Sequence, residues 1–348
     1  MSATGRPTLA MYGAASCGGC EIAVLNTHEA VLAVDAAFEV VFWPVVMDAS
    51  YADVEKLPDQ SIDLTLFNGG IRQEHNVHLA QVLRRKSKLL VAFGSCAGAG
   101  GIPGLANLVS TKQLFDTIYE TLSTENPDHV RPAADTALPG GTIHLPPFEP
   151  VLRALDQVVP VDYWIPGCPP EPKQITAVLE LVMAALEGKA ALPPRGSVIG
   201  AGDSTVCDEC ARQRDVKKIS AFTRLQELTE VDPTVCLLEQ GIPCSGSGTR
   251  NGCGAMCPSA GAPCIGCYGA SDNVVDQGAK LLSAFASVIA ASTPDEIDRV
   301  LDGLPDPVGQ FYRFGLARSL LRSGKPAWDG NGHGEARPLV GAAAEERR

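Results

Sequence analysis

The 348-residue chain has no apolar run of the roughly 20 residues that a bilayer-spanning helix needs. Its longest apolar helical stretches, Ile175–Leu186 and Ala279–Ala291, stop short of that, which argues against an integral membrane protein. The first 25 residues carry neither a basic region followed by an apolar one nor a twin-arginine pair ahead of an apolar run. No export signal is expected, and the predicted setting is the cytoplasm. Positive charge is scarce: 28 Lys and Arg stand against 40 Asp and Glu, a net charge of −12. Nucleic acid is thereby disfavoured as a partner, because phosphate binding needs basic patches; the acidic excess reads as solubility. No internal repeat of fixed period is present. The glycine-rich stretch Gly98–Gly104 lacks the G-x-x-x-x-G-K-[ST] pattern, so it is not expected to bind nucleotide.

What the chain does have is cysteine, twelve in all, almost every one in a Gly- or Pro-rich turn. A 45% hydrophobic fraction over this length is enough for a core without stabilising disulfides. In a compartment that keeps thiols reduced, clustered cysteines more often bind metal than cross-link. Twelve is three sets of four, and a cubane iron–sulfur cluster takes four thiolates.

The first half alternates apolar strand-like runs with helical patterns. Strands are predicted at Thr8–Tyr12, Phe38–Val46, Asp63–Phe67, Lys88–Phe93 and Val161–Ile165. Helices are predicted at Glu21–Val34, Asn76–Lys86, Thr111–Leu122 and Lys173–Leu186, with a Pro-rich excursion over Glu125–Pro150. Strands joined by helical crossovers predict an α/β fold with a parallel, doubly wound sheet. Ligands of such sheets sit beyond the carboxyl ends of the strands. Cys17 and Cys20 follow the first strand, Cys96 the fourth and Cys168 the last, so four thiols distant in sequence are expected to meet at one sheet edge.

After Pro193–Gly196 the pattern changes. Residues Ser197–Ala270 are irregular and hold the other eight cysteines, spaced as C-x2-C (Cys207, Cys210), C-x7-C (Cys236, Cys244), C-x3-C (Cys253, Cys257) and C-x2-C (Cys264, Cys267). Such a segment has too little apolar periodicity for a core of its own, and metal ligation can supply the missing folding energy. Helices are expected at Val274–Ala291, Pro294–Asp302 and Phe311–Arg322, with a polar tail beyond. The predicted units are 1–192, 193–324 and 325–348. Zinc sites also use cysteine pairs, usually two compact C-x2-C knuckles. Here four further cysteines separate the two pairs, and small residues around the thiols leave backbone N–H groups open to sulfides. Spacing therefore favours iron–sulfur, with zinc and free thiols as alternatives.

The motifs Ala15-Ser-Cys-Gly-Gly-Cys-Glu21, Gly94-Ser-Cys-Ala97 with Gly101-Ile-Pro-Gly-Leu105, Pro166-Gly-Cys-Pro-Pro170, Cys236-Leu-Leu-Glu-Gln-Gly241 and Pro263-Cys-Ile-Gly-Cys267 occur in this order. Together they resemble the small subunit of nickel–iron hydrogenases, most closely the cytoplasmic group that pairs with heterodisulfide reductase, flavin or nicotinamide modules. The resemblance implies a flavodoxin-like first domain and three 4Fe-4S clusters. The proximal cluster would take Cys17, Cys20, Cys96 and Cys168, the medial Cys253, Cys257, Cys264 and Cys267, and the distal Cys207, Cys210, Cys236 and Cys244. Many relatives place a histidine at the position of Cys207 and lack a cysteine at that of Cys257, which leaves a three-iron medial cluster. Cysteine at both positions implies an all-cubane chain.

The same resemblance implies electron transfer between a large subunit bearing the nickel–iron site and a further acceptor subunit or carrier, with no catalytic residue in this chain. The partner is expected to cover the face near Cys17–Glu21 and Gly98–Leu105, where glycine permits close approach. The first half also resembles the cluster-bearing small subunit of respiratory complex I, so a quinone oxidoreductase module is one alternative and a zinc-stabilised scaffold another. Among other residues, Glu21 reads as a helix N-terminal carboxylate or as a group in interface proton traffic. Asp48 is a weak candidate ligand beside so many thiols. His75 and His78, three apart on a helix, read as exposed polar residues rather than as a metal pair. His28, His129, His144 and His333 have no ligand partner by spacing.

Overall fold

The computed structural model describes residues 5–215 and 218–321. Among the described residues there are nine strands: β1 Thr8–Gly13, β2 Glu39–Phe42, β3 Ile62–Asn68, β4 Ile71–Gln73, β5 Ser87–Phe93, β6 Asp135–Leu138, β7 Gly141–His144, β8 Phe148–Arg153 and β9 Tyr163–Ile165. Five of them form one sheet in the order β2-β1-β3-β5-β9, every neighbouring pair parallel. That is the flavodoxin-like order, with the chain reversing its direction of travel beside β1.

The sheet is buried on both faces, which is why its strands read as nearly continuous apolar runs rather than alternating ones. Period-two geometry still divides them. Leu9, Met11, Leu89, Val91 and Phe93 face one core with the helix Pro172–Leu186, and Ala10, Tyr12, Leu90 and Ala92 face another with the helix Glu74–Lys86. Residues 197–199 run beside β9, with Ile199 N–H donating to Trp164 O (2.9 Å) and Trp164 N–H to Ser197 O (3.2 Å). This covers the sheet edge, and Ile199 joins the first core.

A third core, with Phe222, Phe285 and Phe311 at its centre, gathers the later helices Gln277–Val288, Pro294–Leu301 and Pro307–Phe311. The cysteine-rich stretch between the sheet and this core is held in short turns and single helical turns, as its glycine and proline content foretold.

Three expectations change. The helix predicted over Glu21–Val34 is two helices, Gly19–Leu25 and Ala30–Ala37, broken where His28 takes a left-handed φ of 57°. The Pro-rich excursion contains the exposed hairpin β6–β7 and the strand β8, which pairs with β4. Instead of a helix from Phe311, the chain has the short helix Pro307–Phe311 and a 3-10 turn at Leu316–Arg318. The polar tail, Arg322 and His333 lie outside the described residues.

Candidate metal centres

Parallel strands bring their carboxyl ends to one side, and that alone gathers the first four thiols. Cys17 and Cys20 follow β1, with Cys20 in the first turn of Gly19–Leu25. Cys96 opens the short helix Ser95–Ala99 after β5, and Cys168 follows β9 in a loop whose Cys168–Pro169 peptide is cis. The β5 and β9 loops are tied by Gly94 N–H to Ile165 O and Ser95 N–H to Gly167 O, both 2.8 Å. The four thiols lie within electrostatic reach of one another: burial first, then repulsion from Cys96, Cys168 and Cys17, pushes the Cys20 thiol up. Burial likewise pushes Cys96 up to about 12, with Cys168 and Cys17 adding to it.

Glycine makes the room. A Cβ on Gly94, which has a φ of 85°, would stand 2.4 Å from the Cys20 sulfur, and one on Gly101 would stand 2.6 Å from the Cys96 sulfur. Gly94→Ala is expected to cost on the order of 1–3 kcal/mol in backbone strain and to displace Cys20. Iron content and thermal unfolding of that variant, measured without oxygen, check this expectation.

The second set assembles from three turns. Cys207 lies on the helical turn Val206–Glu209 and Cys210 just after it, and Thr205 and Asp208 close a capping box at its start. Cys207, Cys210, Cys236 and Cys244 together line one pocket, whose charged lining residues are Arg212 and Arg214. Burial, then Cys244, pushes the Cys207 thiol up to about 12, while the Arg214 guanidinium pulls it down. Arg212 staples the set, donating to Asp232 O (2.7 Å), Val235 O (3.0 Å) and Pro258 O (3.1 Å). Those carbonyls belong to the turns before Cys236 and after Cys257.

The remaining four thiols are Cys253, Cys257, Cys264 and Cys267, and Cys264, pushed up by burial, feels Cys244 of the second set before Cys267. Burial pushes Cys267 up to about 12, with Cys253, Cys168 and Cys257 contributing repulsion and the Cys168 backbone amide offsetting part of it. The Cys253 thiol is raised by burial and lowered by N–H groups of Ala255 and Met256. Glu209 accepts from Gly252 N–H (2.8 Å) and Gly254 N–H (3.0 Å), tying the turn of Cys253 to that of Cys207. Cys257 and Cys17 are the exposed members of the twelve, and none of the twelve forms a disulfide.

The donor set suits iron–sulfur clusters. Buried thiols with raised pKa values stay protonated until a cationic centre displaces the proton, and the N–H groups aimed at Cys244, Cys253 and Cys264 match the hydrogen bonding that sulfur ligands of a cluster receive. Among the described residues no three His, Cys, Asp or Glu side chains converge closely enough for a single ion.

The remaining candidates stand apart. Glu21 is buried, accepts from Trp43 Nε1 (3.1 Å) and is raised by burial. It is in the first turn of its helix, but its carboxylate turns inward. Asp48 is exposed. His78 pairs with Glu55 (2.7 Å), whereas His75 is half-buried, not exposed as expected, with its ring tilted against Tyr51. His129 and His144 pair with Glu120 and Asp135. The close approach allowed by Gly98–Gly104 is used within the chain itself: a Cβ on Gly100 would lie 2.4 Å from that of Ala317, and Arg318 donates to Gly98 O (2.9 Å). The staples Arg212 and Arg250, which bond to backbone carbonyls distant in sequence, carry no motif that sequence reasoning could have found.

The family model described as NADH ubiquinone oxidoreductase, 20 Kd subunit, matches residues 17–182. The iron-sulfur subunit of the F420-non-reducing hydrogenase of Archaeoglobus profundus is 38% identical over 311 residues, covering 88% of this chain and 94% of that protein. Its counterpart in the vhu F420-non-reducing hydrogenase of Methanococcus voltae is 41% identical over 305 residues, covering 88% and 93%. A chain of the solved NAD+-reducing NiFe hydrogenase in its H2-reduced state overlays with a TM-score of 0.42 at 25% identity, covering 54% of this chain and 96% of that one. With relatives this similar along nearly their whole length, the chain belongs to the same family as these F420-non-reducing hydrogenase subunits, relatives of the nickel–iron hydrogenase small subunit.

Proposed function

We propose that this chain is the electron-transfer subunit of a heteromeric nickel–iron hydrogenase, holding three 4Fe-4S clusters between a large subunit that bears the bimetallic site and an external acceptor. The observation that supports this reading is four thiols gathered at the carboxyl ends of β1, β5 and β9 and four more lining one pocket, in a chain whose relatives are hydrogenase subunits. Cys17, Cys20, Cys96 and Cys168 would hold the proximal cluster, Cys253, Cys257, Cys264 and Cys267 the medial, and Cys207, Cys210, Cys236 and Cys244 the distal. When bound, such clusters supply reversible one-electron storage. The chain's own residues supply the thiolates, the glycine cradles and the N–H donors.

The sheet-edge face, where Ile22, Leu25, Ile102 and Leu108 are exposed, is the surface assigned to the large subunit. No helix among the described residues is long and apolar enough to cross a membrane. A cytoplasmic setting, which keeps twelve unpaired thiols reduced, is part of the proposal. We further propose two units, 1–192 with the sheet and 193–324 with the later clusters.

Purification without oxygen tests the reading. A brown protein with about twelve iron atoms per chain, co-purifying with a nickel-containing subunit, is the expected result. A colourless, zinc-replete protein with no such partner rejects it in favour of a scaffold. The family model's description raises a complex I-like quinone module as a second reading, but its match ends at residue 182 and leaves eight cysteines outside.

Arg214 provides a finer check. Its positive charge stabilises the more negative, reduced state of the set that it faces. Arg214→Glu is therefore expected to shift that set's midpoint potential to more negative values, leaving the other two unmoved in a redox titration followed by EPR.

A further inference from the structure

The three thiol sets are joined by one short segment, residues 264–268, and each end of it is clamped by buried polar groups. Toward the sheet edge, Ser95 is 8% exposed and shares its hydroxyl hydrogen between Gly167 O (2.9 Å) and Cys267 O. Its own N–H donates to Gly167 O, so a single residue beside Cys96 holds both the Cys168 loop and the Cys267 backbone. One position further on, Tyr268 is 3% exposed and donates its hydroxyl to Gln174 Oε1 (2.8 Å). Gln174 Nε2 in turn donates to Pro166 O (3.1 Å), two residues before Cys168.

The other end is built differently. Cys264 N–H donates to the Cys244 sulfur (3.3 Å), and Ser245 N–H donates to Cys264 O (2.8 Å). Gln277 Nε2 donates to Gly266 O (2.9 Å) in the middle of the segment. Two of these contacts cross between sets, Ser95 to Cys267 O and Cys264 N–H to the Cys244 sulfur, and the others hold the turns on either side of them. Buried and mutually satisfied, such bonds resist separation, because a broken one leaves a buried group unpaired.

Given the reading that the sets hold clusters, we propose that residues 264–268 form a rigid coupler between the sets, with Ser95 and Tyr268 as the positioning residues that fix the Cys264/Cys267 pair against the sheet-edge thiols for electron passage. In the step that they would serve, the reduced cluster of one set would lose one electron and the oxidised cluster of the next would gain it, with no bond broken and no proton moved. Ser95 and Tyr268 supply no thiolate; they act by holding Cys267 against the Cys168 loop.

The test uses the full chain in its complex, prepared without oxygen, as wild type, Ser95→Ala, Ser95→Thr and Tyr268→Phe. Iron per chain and the EPR of the fully reduced protein are measured, together with the rate of electron redistribution after mixing with an oxidant. Expected are full iron in Ser95→Ala, loss of the magnetic interaction features between the sheet-edge and Cys264/Cys267 clusters, slower redistribution, and recovery of both in Ser95→Thr. Full iron with unchanged interaction and rate in Ser95→Ala overturns the proposal. Should Ser95→Ala lose iron, Tyr268→Phe decides by the same two readouts, and loss of iron from both variants overturns it, since these residues then serve cluster retention rather than coupling. A wild-type complex without iron refutes the underlying function instead, so iron content separates the two failures.

Discussion

Replacing Cys168 by serine is expected to lower the iron of the purified complex from about twelve to about eight atoms per chain and to abolish electron exchange with the large subunit. The size of the effect follows from position. Cys168 comes from the last strand of the sheet, Cys96 from its neighbour and Cys17 and Cys20 from β1, and Cys267, the thiol of another set that approaches Cys168, is assigned to the medial cluster. A serine hydroxyl is a far weaker acid than a thiol and does not supply an anionic sulfur ligand to iron. Cys210, Cys236, Cys244, Cys253 and Cys264 pack into other cores, so the medial and distal sets are expected to persist. Iron analysis, visible absorption and EPR of the reduced protein report this directly. Unchanged iron and activity in this variant would remove the basis for a site at the strand ends.

Cys257→Ala is expected to act differently, converting the medial set to a three-iron centre instead of emptying it. Cys257 is one of the two exposed thiols and lies on a single helical turn, Met256–Ser259. Cys264 is buried, and Cys253, Cys264 and Cys267 are held by N–H donors or by buried clamps. Losing the exposed ligand frees one corner iron while three anchored thiolates retain the rest. The oxidised variant should then show a three-iron EPR signal stoichiometric with protein, absent from the wild type. The medial midpoint should rise, and electron delivery to a low-potential acceptor should fall. Cys264→Ala makes the contrast, because removing a buried ligand at the junction with Cys244 is expected to empty the set. A three-iron signal in intact wild-type protein would show that Cys257 is not a ligand.

Much of this was legible in the residues. Apolar runs separated by helical periods specified a parallel sheet, and cysteines immediately after the first, fourth and last predicted strands located a common edge. Both follow from local chemistry, since β-rich apolar runs and Gly–Cys turns declare themselves within a few residues. The hairpin β6–β7 and the strand β8 were not legible. Proline and polar residues dominate that excursion, and β8 exists only because it pairs with β4, far earlier in the chain, Ile71 lying opposite Arg153. The break after Leu25 was hidden too, because Asn26-Thr-His-Glu29 interrupts the apolar pattern without a glycine or proline to mark it.

The twelve cysteines, their spacing and the succession of apolar strands ahead of the first four were determined by the sequence alone. Which thiols neighbour which across the two halves was decided only by the tertiary structure. Cys264 meets Cys244, Cys267 meets the Cys168 loop, and Ser95, Arg212 and Gln174 hold these turns through backbone carbonyls far away in the chain. The physical reason is the nature of the partner. A backbone carbonyl is offered by every residue, so a side chain that binds one leaves no pattern in the sequence, whereas a thiol at the end of an apolar strand leaves a pattern that can be read.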